Sequence, residues 1–187
     1  MRLSGLFALD SFGGGFVPQT FIAYLFTRKF DASPQTLAVV FFAIGIVQAL
    51  SFQAAVRLAG RIGLLRTMVF THLPSNLLLA AVAFAPNLAS AITLLLARFA
   101  LTQMDVPIRQ AYVMAVVDPS ERTAAAAYTN TARYVSRPIA PLTAAASLRV
   151  GLGAPFLIAG ALKSLYDLGL YLTFRSVTVA GEPPDAG

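Results

Sequence analysis

Residues 94–133 read LLLARFALTQMDVPIRQAYVMAVVDPSERTAAAAYTNTAR, and the order of residues in this stretch decides the fold class. An apolar helix carrying Arg98 runs into a polar knot of Gln103, Asp105, Pro107 and Arg109. It resumes as an apolar stretch and ends in a charged turn from Asp118 to Arg122. Such an order is odd for a helix in water. It suits a spanning helix with a functional interior, followed by a loop at the membrane surface. An ionised side chain at membrane depth costs ~2.5–3.5 kcal/mol on insertion scales, so it is rarely kept without a task.

The surrounding composition agrees. Of 187 residues, 57% are hydrophobic and 12% are charged, against about 25% charged in an average soluble domain. The net charge is +6, and 12 of the 14 basic residues are arginines spread between apolar runs. That spacing fits orientation signals at membrane surfaces. It lacks the basic stripe with interleaved aromatics that nucleic-acid binding uses, so no nucleic-acid partner is expected. The absence of cysteine excludes disulfides and thiolate metal sites, and the single His72 excludes a His-rich one.

Six segments are long enough to cross a bilayer, near residues 3–27, 35–58, 66–85, 88–117, 123–148 and 154–174. The first contains Asp10, the Gly13-Gly14-Gly15 run and Pro18, which interrupt what would be a signal peptide's apolar region, so it reads as a retained span. Breakers of this kind are tolerated in lipid where neighbouring protein or a water-filled cavity satisfies the freed backbone. Ser33-Pro34 opens the second segment, with Pro suited to the first helical turn. Pro107 is expected to kink the fourth segment and free a carbonyl near Gln103. Lys163 and Asp167, four residues apart in the sixth, are expected to neutralise each other. Residues 176–187 read as a short disordered cytoplasmic tail beyond the 1–175 transmembrane domain. Six basic residues fall on the side of the termini and three on the other, which predicts both termini in the cytoplasm of the cell's inner membrane.

The turn after the second segment, Gly60-Arg61-Ile62-Gly63-Leu64-Leu65-Arg66, resembles the signature loop of the major facilitator superfamily, Gly-x-x-x-Asp-Arg-x-Gly followed by a basic pair. Arg61 and Gly63 match its Arg and second Gly. Val56, Gly60 and Leu64-Leu65 replace its first Gly, its Asp and its basic pair. Leu94-x-x-x-Arg98 is similar to the family's fourth-helix arginine motif, Asp118-Pro-Ser-Glu121-Arg122 to the turn that follows it, and Arg137-Pro-Ile-Ala-Pro141 to its antiporter motif. The resemblance is to the C-terminal six-helix half of such a transporter. It implies an all-α polytopic membrane fold of six transmembrane helices, arranged as two inverted three-helix repeats. Phe7-Ala-Leu and Phe99-Ala-Leu, each followed by an acidic residue and a Pro-containing bend, are consistent with that repeat.

The resemblance further implies secondary active transport of a small solute by alternating access. The lipid bilayer, a small-molecule substrate and a coupling proton are then the partners, with either an N-terminal transporter half or a second copy of the chain to complete the cavity. A start two residues into an apolar helix favours a fragment of a longer reading frame over a self-dimerising half. Asp10, Arg98, Gln103, Asp105, Arg109, Lys163 and Asp167 are the expected substrate or proton pathway. Gly60, Arg61, Gly63 and Arg66 form the expected cytoplasmic gating loop. The other reading is a non-transporting six-span structural or regulatory membrane protein or truncated gene product. Intramembrane hydrolysis is set aside: His72-x-x-x-Asn76 invites comparison with rhomboid proteases, but the chain has no Gly-x-Ser-Gly and no second histidine. No enzymatic activity, cofactor or metal is expected.

Overall fold

The computed structural model describes residues 2–175 and Val177. Among them are nine α-helices: α1 (Arg2–Gly15), α2 (Gln19–Phe30), α3 (Pro34–Ile62), α4 (Leu64–Val82), α5 (Leu88–Thr102), α6 (Asp105–Val116), α7 (Arg122–Ser136), α8 (Ala140–Ser147) and α9 (Ala154–Phe174). The protein is all-helical. The expected tail falls outside the described residues apart from Val177, whose N–H bonds the Phe174 carbonyl at 3.0 Å.

Local sequence explains where helices start and stop. Ser33 caps α3 by accepting from the Thr36 N–H at 3.2 Å, with Pro34 in the first turn. Asn87 and Ser90 form a reciprocal capping box at the start of α5. The first segment is two helices rather than one, because Pro18, held at φ −65°, cannot continue α1 and instead begins α2. The fifth likewise divides, with Arg137, Pro138 and Ile139 between α7 and α8. The expected turn from Gly60 to Arg66 is corrected by the structure: α3 continues through Gly60, Arg61 and Ile62, and Gly63 alone joins it to α4. Gly63 has φ 85°, a conformation a side chain resists.

The break between α5 and α6 falls at Gln103 and Met104. There the Met104 N–H turns back to the Leu101 carbonyl at 3.2 Å, and Ser51 of α3 donates to the Ala100 carbonyl at 2.6 Å. Pro107 lacks the N–H that would reach back to Gln103, whose carbonyl accepts from Val106 at 3.4 Å instead. The kink expected from Pro107 is thus a true interruption, with one freed carbonyl taken by a neighbouring helix.

α4 lies at the centre, packed against α9, α5, α6 and α3, while α1 packs against α7, α9 and α8. Two apolar clusters form. One holds Phe16, Phe26, Leu79, Leu95, Ala140 and Phe156; the other holds Phe7, Met68, Ile108, Tyr112, Tyr166 and Leu170. Along α1, α4, α9 and the α5–α6 pair, the chain passes from one cluster to the other through buried polar residues. A polar layer therefore lies between two apolar ones.

The outside is the reverse of a soluble protein's. α3 presents Val39, Phe42, Ile46 and Leu50 outward at three- and four-residue spacing, Phe42 with 71% of its surface exposed. Leu165, Leu168 and Leu172 of α9 do the same. Lipid contributes no hydrophobic drive between helices, so close packing must hold them together. Gly13 and Gly15 supply it. A Cβ on Gly13 would lie 2.8 Å from Lys163 Cγ, and one on Gly15 would lie 2.6 Å from Ala140 Cβ and 2.7 Å from the Arg137 carbonyl oxygen. These glycines bring α9 and the α7–α8 junction against α1.

Candidate functional site

Asp10 is the hub of the polar layer. It sits on α1 one turn after Phe7 and is buried by α4, α6 and α9. Its Oδ1 receives an ion pair from Lys163 Nζ of α9, and its Oδ2 accepts from Arg109 Nη1 of α6 at 3.3 Å. The same Nη1 donates to Asp105 Oδ2 at 2.5 Å, one turn back on α6. His72 Nε2 of α4 lies 3.8 Å from Asp10 Oδ1. On its other side, His72 Nδ1 and Asp167 Oδ1 are 2.9 Å apart, and Asn76 Nδ2 donates to Asp167 Oδ2 at 2.7 Å. One connected line of polar groups thus runs from Asp167 through His72 and Asp10 to Arg109 and Asp105.

This corrects one expectation. Lys163 and Asp167 do not neutralise each other: Lys163 turns to Asp10, and Asp167 is held by His72 and Asn76. Helical spacing brought them to one face of α9, but α1 and α4 meet that face at different heights and take one residue each. His72 and Asn76, which from sequence invited only the comparison with rhomboid proteases, are part of the network. Their four-residue spacing, which puts both side chains on the same stripe, was the available signal.

A cavity of about 390 Å³ opens beside this line. Asp10, Arg98, Gln103, Asp105, Arg109 and Lys163 all line it, whereas Asp167 is fully buried behind His72 and does not. The breaks in the first and fourth segments both reach it, through Val17 and Pro18 on one side and Gln103 on the other. Arg98 is 7% exposed, stacks over the Phe99 ring at 4.7 Å, and its Nε has no hydrogen-bond partner among the described residues. Asp105 Oδ1 is likewise without one.

Arg133 and Arg137 also line the cavity, although Arg137 was expected only as part of the antiporter-like motif and neither among the pathway residues. They stand one turn apart at the end of α7, where Ser11 of α1 donates to the Arg133 carbonyl at 2.8 Å. Two arginines at that spacing in an otherwise uncharged run were the sign to follow. The expected gating residues lie elsewhere: Gly60 and Arg61 are exposed at the end of α3, Gly63 is the connection, and Arg66 is half-buried on the first turn of α4.

No family model matches the chain, and no solved structure matches it. It is 27% identical over 179 residues to an uncharacterized membrane protein of Saccharomyces cerevisiae, an alignment covering 95% of this chain and 40% of the relative. Two stretches, Pro34–Ile62 and Leu88–Val116, are long and apolar enough to cross a membrane. With the apolar exterior and polar interior, these observations define the class: an all-helical membrane protein. The chain spans about 40% of the length of the curated relative that it matches.

Proposed function

We propose that the chain is one half of a secondary transporter of the major facilitator type, which moves a small solute by alternating access. The observation that carries this reading is the cavity itself. Charged side chains line it between two apolar clusters, at the point where two interrupted helical segments meet. Helix breaks facing a polar cavity are how transporters expose backbone and side chains to a solute at membrane depth.

The first and fourth segments are the leading elements of two three-helix units, and both are broken, both carry an aspartate and both line the cavity. That correspondence supports six spans in two inverted repeats. α4 and α9, of 19 and 21 residues, are shorter than α3 and carry the polar layer, His72 and Asn76 on one and Lys163 and Asp167 on the other. The cavity is completed by an N-terminal half or by a second copy of this chain.

The test is solute uptake into proteoliposomes carrying the chain, alone and co-expressed with the reading frame that precedes it. Accumulation of a labelled solute that collapses with the proton gradient is the expected result. Absence of uptake in both preparations, across anionic, cationic and neutral solutes, sinks the transporter reading.

A further inference from the structure

We infer that the cavity takes an organic anion, its acidic group held by Arg98, Arg133 and Arg137. This deepens the transporter reading and rests on it for the solute's passage, though the binding site stands on its own geometry.

Five cationic side chains and two carboxylates line the cavity, an excess of three positive charges. The ion pairs distribute that excess. Asp10 holds Lys163, Asp105 holds Arg109, and Arg109 reaches Asp10 as well. Among the described residues Arg98, Arg133 and Arg137 have no carboxylate within ion-pair distance. Arg98 is the decisive one. It is more than nine-tenths buried, faces the cavity, and leaves its Nε without a partner. A buried guanidinium in that state lacks the compensation that buried charges require, and a bound anion would supply it.

Arg133 and Arg137 add a second argument. They bring two further guanidinium groups, one turn apart at the C-terminal end of α7, to the same cavity as Arg98, and neither has a carboxylate partner among the described residues. The Nε of Arg133 is also without a hydrogen-bond partner. Guanidinium groups match carboxylate and phosphate through paired N–H donors, which makes these two oxyanions the chemistry to expect. The rest of the wall describes the body of the solute: Ile22, Phe41, Ile44 and Phe99 are apolar. An acidic group joined to an apolar or aromatic body fits both parts. A free solute and a lipid phosphate share that chemistry, and the experiment separates them.

The chain is placed in phosphatidylcholine nanodiscs and titrated calorimetrically with benzoate, benzylamine and benzyl alcohol, three probes of nearly one shape and different charge. Benzoate is expected to bind at least about tenfold more tightly than either of the others. Arg98→Gln should weaken benzoate by about tenfold or more, Arg98→Lys by less, and Arg57→Gln, far from the cavity, not at all. Arg137→Gln provides an independent variant at a more exposed position. Benzylamine binding as tightly as benzoate, no binding of any probe, or both Gln variants binding benzoate like the parent chain would each overturn the proposal. Loss of benzoate binding when phosphatidylglycerol is added to the discs would assign the arginines to a lipid phosphate and overturn a free solute as the occupant. The readout needs no flux. Benzoate binding without uptake in proteoliposomes sinks the transporter reading and leaves the anion site standing; uptake of a cationic solute alone does the reverse.

Discussion

Arg109 holds two aspartates with one nitrogen: its Nη1 lies 2.5 Å from Asp105 on its own helix and 3.3 Å from Asp10, ninety-nine positions away on α1. The bond to Asp105 follows from helical spacing, while the bond to Asp10 joins α1 to α6 across the bundle. Removing one member of a buried ion pair leaves the other charge uncompensated, at a cost of about 3–5 kcal/mol. Asp10→Asn and Arg109→Gln are each expected to destabilise the protein by that order in detergent unfolding. The double variant should lose clearly less than the sum of the two. Additive losses would show that the pair is not coupled.

Asp105 differs from Asp10 in having an oxygen without a hydrogen-bond partner among the described residues, at the edge of the cavity. In the proposed transport cycle, a carboxyl group so placed would load and release a proton. Asp105→Asn is expected to reduce gradient-driven uptake by about tenfold or more while the protein still reaches the membrane. Unchanged uptake in the complete assembly would remove Asp105 from the coupling path.

Gly15 and Gly5 make a controlled pair on one helix. A Cβ at Gly15 meets Ala140 and the Arg137 carbonyl below 3 Å, whereas one at Gly5 meets nothing within 4 Å. Gly15→Ala should therefore cost about 1–3 kcal/mol by overpacking. Gly5→Ala should be neutral or stabilise by up to about 1 kcal/mol through the unfolded state. Thermal unfolding of the two variants side by side reads the difference.

The proposed topology is directly testable because the chain has no cysteine. Arg57 and Arg61 are exposed at one end of α3, and Arg28 is exposed at the end of α2 that precedes its start. With both termini cytoplasmic, Arg61→Cys should react with an impermeant maleimide only in inverted vesicles, and Arg28→Cys only in intact cells. The opposite pattern would invert the orientation.

The turn before α7 carries a small pH dependence of its own. Asp118 accepts from the Ser120 N–H at 2.9 Å and from its hydroxyl at 2.6 Å, and these bonds hold its carboxyl below the ordinary carboxylate value. A lowered folded-state pKa means that the turn is favoured above the unfolded value and loses that support as pH falls through the folded one. Ser120→Ala should move the Asp118 titration upward in a carboxyl-detected NMR experiment. No movement would show that the hydroxyl and turn geometry are not what lowers it.

Much of this protein is local, and what is local could be read from the chain alone. The all-helical membrane class follows from apolar runs set against a scarcity of charge. Ser33 and Pro34 start α3 because a hydroxyl cap and a preset φ act within one turn. Pro18 and Pro107 interrupt the segments they lie in because a missing N–H is a property of one residue. The polar character of Asp10, Arg98, Asp105, Arg109 and Lys163 was equally plain, since charge in an apolar run needs no neighbour to be noticed. Who partners whom was decided only by tertiary structure. Lys163 faces Asp10 rather than Asp167 because Gly13 lets α9 approach α1 at that level. Asp167 is withdrawn from the cavity because α4 brings His72 and Asn76 to it. Arg133 and Arg137 reach the cavity because α7 packs on α1. Pairings of this kind depend on the heights at which helices distant in sequence cross, and no spacing within one helix carries that information.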